Sequence, residues 1–110
     1  MTDNRLHKLY KVYEGLNQRF PGNRDAYRIL ARLMEECGEM AKQVHIFQDV
    51  GLKRHKHGQP EKKHLAKEAQ DIITSVLHLV MLFDAKQELD ELIEKHYQMV
   101  LKEGLTTEDK

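Results

Sequence analysis

Apolar residues return every three or four positions along most of the chain, the spacing that gathers side chains onto one face of a helix. Leu6, Leu9, Tyr10, Tyr13 and Leu16 form a first such stripe, predicting a helix from about Asp3 to Arg19 that Pro21-Gly22-Asn23 ends. A second stripe, Ile29, Leu30, Leu33, Cys37, Met40, Ala41, Val44 and Phe47, predicts a helix from about Arg24 to Gln48. The third, Leu65, Ala69, Ile72, Ile73, Val76, Leu79, Val80 and Phe83, predicts a helix to about Phe83 with Pro60 in its first turn. Leu89, Leu92, Ile93, His96 and Val100 predict a fourth from about Lys86 to Lys102, closed by Gly104. No segment alternates with the period of a strand, so the expected fold class is all-α.

Within this pattern four acids stand out. Glu36 and Glu39 are three apart on the second helix, and Glu68 and Asp71 are three apart on the third. Residues at that spacing sit about 60° from each other and one turn apart, so each pair presents two like charges side by side. The next same-face positions hold Gln43 and Ser75 rather than a base, which leaves the repulsion for something else to relieve. Both pairs fall at the edge of their apolar stripe. If the two stripes pack as antiparallel helices, all four carboxylates reach one wet border of the seam. Oxygen donors without a thiolate cluster favour Mg²⁺ or Mn²⁺ over zinc.

Composition narrows the function classes. At 110 residues the chain is expected to form one domain, 1–110, with a modest core that oligomerisation would help. Eighteen basic and eighteen acidic residues cancel, so no global field points to nucleic acid or an anionic membrane. The single cysteine, Cys37, lies on an apolar helix face; it is expected in the core and fits a reducing cytosol. No signal-peptide apolar region precedes the first helix, and the run Val76 to Phe83 is too short for a bilayer, so a soluble cytoplasmic protein is expected.

Glu35-Glu36-x-x-Glu39, a loop, then Glu68-x-x-Asp71 before an apolar helix resembles the MazG-like, all-α nucleoside triphosphate pyrophosphohydrolases over roughly residues 26–101. The resemblance implies a four-helix fold packed into a dimeric bundle and a divalent metal, Mg²⁺ or alternatively Mn²⁺, held by Glu36, Glu39, Glu68 and Asp71, which would also be the catalytic residues. It implies hydrolysis of a nucleoside triphosphate to the monophosphate and pyrophosphate. Glu35 points about 100° away from Glu36, as an outer ligand or a surface carboxylate. Lys95 matches a lysine that many relatives carry in the last helix, while Met99 replaces the asparagine that follows it. Between the motifs lies Lys53-Arg54-His55-Lys56-His57, whose Lys53, Arg54 and Lys56 are candidates for binding a triphosphate tail.

Several residues have plainer readings. Glu61-x-x-His64 mimics half of a di-iron motif, but no second Glu-x-x-His accompanies it. His64 and His78 are expected as polar boundary residues, Lys67 as a solvated lysine, and Tyr10, Tyr13 and Phe83 as core or dimer contacts. A homodimer or dimer of dimers is expected, with Leu9, Tyr13, Leu92 and Ile93 meeting the partner. Two alternatives stand beside the triphosphate hydrolase. One is a phosphoribosyl-ATP pyrophosphohydrolase-like enzyme, and the other is a helical adaptor whose acids decorate its surface.

Overall fold

The computed structural model describes residues 4–19, 25–48 and 59–108, and every regular element among them is helical. In chain order these are α1 (Arg5–Arg19), α2 (Ala26–Phe47), α3 (Lys62–Leu82) and α4 (Lys86–Lys102). The all-α expectation holds, and α4 has the bounds that its periodicity predicts. The other helices start later than expected, for local reasons. Asp25 stands in extended conformation and accepts from the Tyr27 and Arg28 backbone N–H groups at 3.0 and 3.4 Å, so it caps α2 and Ala26 is the first helical residue. Pro60 precedes the cap residue Glu61 rather than entering the first turn of α3.

Both later helices end in the same way. At the end of α3 the Ala85 N–H reaches back to the Val80 carbonyl and the Asp84 N–H to Met81. At the end of α4 Leu105 reaches Val100 and Gly104 reaches Leu101. This double closure needs a left-handed residue just past the helix, and Asp84 (φ 55°) and Gly104 (φ 73°) supply it.

Among the described residues, the backbones of α1, α2 and α4 each approach α3, and α1 also meets α4 through side chains, with the Tyr10 hydroxyl 3.5 Å from Asp90. Helix α2 runs along α3, while α1 and α4 touch it over shorter stretches. The buried apolar side chains are Tyr10, Tyr13, Ile29, Ile46 and Leu77, and α4 contributes none. At about 1.5–3 kcal/mol per buried side chain this is a thin core. Several stripe residues are therefore open to solvent: Leu30, Val44, Ile73, Val76, Leu92 and Ile93 are exposed.

Three expectations change here. Cys37 is exposed rather than core, because the flank of α2 that carries it is covered by no helix among the described residues. Phe83, expected as a core or dimer contact, is 69% exposed at the C-cap of α3 and so lies outside this chain's own core. Tyr13, expected at a subunit contact, is spent inside the chain, its ring 4.7 Å from that of buried His78.

Candidate functional site

Helix α2 brings Glu36 against α3, where the Ser75 hydroxyl donates to Glu36 Oε1 at 2.7 Å. Ser75 is buried, so this charge-assisted bond fixes the contact between the two helices that carry the acidic motifs. On α3 the Lys67 ammonium bonds Asp71 Oδ2 at 2.9 Å. That bond, the charge of Asp71 and then the charges of Glu68 and Glu36 hold the lysine above its ordinary pKa. One ammonium thus lies in the field of three acids drawn from two helices. Of the four acids expected to converge, Glu36 meets α3 through Ser75 and Asp71 is held by Lys67.

Glu39 is placed differently. It pairs with Lys42, one turn further along α2, at 3.3 Å. Lys42 follows Glu39 by three and Lys67 precedes Asp71 by four, so the acids do have basic partners. The expectation of uncompensated repulsion is corrected on that point; both partners stand at helical spacing in the sequence, on the sides of each pair that the forward count passes over. Lys67, expected as a solvated lysine that could contact phosphate, is exposed and pairs with Asp71. Ser75 was visible as the next position on the acidic face, but only the facing helix shows what its hydroxyl holds.

Among the described residues no three His, Cys, Asp or Glu side chains are grouped to hold a metal ion as they stand. The donor chemistry nonetheless suits a hard divalent cation. The donors are all carboxylate oxygens, the edge is partly open, and Lys67 already stands in as the positive charge. Ligation would exchange the Glu36–Ser75 and Asp71–Lys67 bonds and turn Glu39 from Lys42.

The remaining candidates are dispersed. Lys95 is exposed on α4, and Lys53, Arg54 and Lys56 lie outside the described residues. Glu35 is exposed on α2. His64 is exposed at the start of α3, 3.5 Å from Glu61, whereas His78 is buried against Tyr13. Next to that pair, between α1 and α3, Tyr13, Glu14, Asn17, Gln18 and Met81 line a cleft of about 340 Å³. Asn17 Oδ1 is buried without a hydrogen-bond partner. Met81 follows Asp71 by ten residues along one helix, which separates the cleft from the acids by about 15 Å.

No family model, curated protein or solved structure matches the chain. Among the described residues, no helix is long and apolar enough to cross a membrane.

Proposed function

We propose that the chain is a metal-dependent nucleotide pyrophosphohydrolase that cleaves a nucleoside triphosphate to the monophosphate and pyrophosphate, on a MazG-like four-helix unit that works as a dimer. The observation that supports this most is the α2–α3 border, where the buried Ser75 of α3 holds Glu36 of α2 and Lys67, bonded to Asp71, feels the charges of Glu68 and Glu36. Glu36, Glu68 and Asp71, with Glu39 after release from Lys42, would hold a magnesium ion. The ion would supply charge neutralisation for the phosphates and a lowered pKa for the attacking water. The chain's own part is placement: Ser75 positions Glu36, and Lys67, once displaced from Asp71, is free to pair with a phosphate oxygen. The cleft beside Tyr13 is large enough for part of a nucleobase, offers amides at Asn17 and Gln18, and lies within a nucleotide's reach of the acids.

A second reading has an observation of its own. Lys42 and Lys67 neutralise Glu39 and Asp71, and Ser75 satisfies Glu36, so the acids serve equally well as the polar border of a non-catalytic helical adaptor. The test is pyrophosphate release from a panel of nucleoside triphosphates and phosphoribosyl-ATP, with Mg²⁺ and with EDTA. Mg²⁺-dependent release supports the hydrolase, and the preferred substrate identifies its class. Silence across the panel, with no calorimetric Mg²⁺ binding, leaves the adaptor.

A further inference from the structure

The cleft between α1 and α3 holds a polar group that the chain itself does not satisfy. Asn17 Oδ1 is buried without a hydrogen-bond partner, and a buried amide oxygen in that state opposes folding. The residue lines the cleft, and its last side-chain torsion is broad and nearly twofold. Rotation about that torsion turns the oxygen toward an occupant without breaking any hydrogen bond that the oxygen makes. One turn earlier on the same face of α1 stands Glu14, whose exposed carboxylate bonds Lys11 at 3.2 Å. Two acceptors thus stand one helical turn apart on one wall.

The rest of the lining narrows what can enter. None of the five lining residues is basic, so no side chain of the wall pairs with a phosphate. Tyr13 and Met81 supply apolar surface, and a thioether packs well against the face of a flat heterocycle. A volume of about 340 Å³ is at the small end of ligand pockets and suits a base rather than an entire nucleoside triphosphate.

We infer that this cleft selects nucleotides whose base carries an exocyclic amine, with Asn17 Oδ1 and the Glu14 carboxylate accepting from its N–H groups. The inference rests on the hydrolase reading in taking a nucleotide as the occupant, and it adds which bases enter. An amine presents two donors and so meets both acceptors at once. Uracil and hypoxanthine differ from cytosine and adenine by a carbonyl in place of the amine and a proton on the neighbouring ring nitrogen. Their one ring N–H satisfies at most one acceptor, and their carbonyl turns an oxygen toward the other. Rejection is strongest where the wrong ligand leaves a buried polar group of the site unpaired, which is the position of Asn17.

Matched pairs isolate the amine. In EDTA, where neither metal nor turnover contributes, NMR titrations should show cytidine and adenosine binding at least about tenfold more tightly than uridine and inosine. With Mg²⁺, kcat/KM for pyrophosphate release should favour CTP over UTP and ATP over ITP in the same way. Asn17→Leu removes the acceptor at nearly constant size and should erase the preference. Its melting temperature should hold or rise, because an unpaired buried oxygen is gone. Asn17→Asp keeps an acceptor in place and should retain the preference. A wild-type protein that binds both members of each pair equally, prefers the amine-free member, or binds no nucleoside at millimolar concentration overturns the inference. So does a preference that Asn17→Leu leaves intact. Should that variant fail to fold, the wild-type titration decides by location, and chemical shifts that move away from Tyr13, Asn17 and Met81 overturn the proposal. The two readings fail separately. Nucleoside preference without pyrophosphate release from any triphosphate removes the hydrolase and keeps the selectivity of the cleft, while release without preference removes the selectivity alone.

Discussion

Glu36 is held by a hydroxyl rather than by a base, and this governs what its substitution should do. Glu36→Gln keeps an oxygen that Ser75 can donate to, so the helix contact survives while one ligand charge is lost. If the acids hold a catalytic cation, Glu36→Gln, Glu39→Gln, Glu68→Gln and Asp71→Asn should each cut turnover by orders of magnitude. Melting temperatures without metal should change little, because the pairs at Glu39 and Asp71 are solvent-exposed and worth only about 0–1 kcal/mol. Pyrophosphate release measured beside metal-free melting curves checks both halves, and wild-type turnover in all four variants ends the hydrolase reading. Lys67 gives the converse expectation. Lys67→Met removes the cation that competes at Asp71, so calorimetry should show Mg²⁺ binding severalfold tighter; unchanged or weaker binding would show that the lysine does not stand in the metal's place. Tyr10 belongs to a different network. Burial first, then Asp90, whose carboxylate lies 3.5 Å from the hydroxyl, raises its pKa, and Lys86 over the ring opposes this in part. Lys86 is itself raised, chiefly by its hydrogen bond to Asp90. Both groups hold their protons more tightly folded than unfolded. Their stabilisation is complete below about pH 10 and is lost as pH rises through the raised values. Denaturant titrations at about pH 9 and about pH 11 should show a fall that is shallower in Tyr10→Phe, and an equal fall in both proteins would remove Tyr10 from the cause.

At the scale of elements, backbone conformation allows the helix ends and helix interiors to be tested separately. Gly104 sits at a positive φ in the closing turn of α4, so Gly104→Ala should cost about 1 kcal/mol although nothing lies within 4 Å of the added carbon. Gly15 lies mid-helix in α1 with equally open space, and Gly15→Ala should gain up to about 1 kcal/mol. Urea unfolding of the two variants decides it, and the same sign in both would contradict the assigned conformations. These features differ in how plainly the sequence announces them. The helices were legible because stripe spacing and caps are local, and Gly104 declared its own turn. Asp84 did not, since an aspartate in the left-handed region is known only once α3 and α4 are seen to join through it. The acids were legible as a group because helical spacing fixes their angular positions. Their partners were less so, since a forward count in steps of four passes over Lys42, three after Glu39, and misses Lys67, which precedes Asp71. Exposure was the least legible property: the apolar period marks Cys37 and Phe83 as covered without saying whether the cover is this chain or another.

For the whole molecule, the acidic border and the exposed apolar stripes make separable demands on stability. The acidic border should respond to metal. Mg²⁺ that binds only the folded state stabilises by about 2.7 kcal/mol at one hundred times its dissociation constant, and Mn²⁺ should substitute for it. The exposed stripe residues should respond to protein concentration, since the proposed dimer, in burying them, melts at a higher temperature when more concentrated. None of them takes part in the bonds of Glu36, Glu39 or Asp71, so the two effects should add. Thermal melts with EDTA and with saturating Mg²⁺, each over a hundredfold range of protein concentration, should therefore give parallel lines. Lines of equal slope but no separation would retain the assembly and remove the metal. A separation with no slope would do the reverse. Lines that converge would mean that a carboxylate of one protomer completes the metal set of the other, placing the acids at the interface and contradicting the independence of metal and assembly.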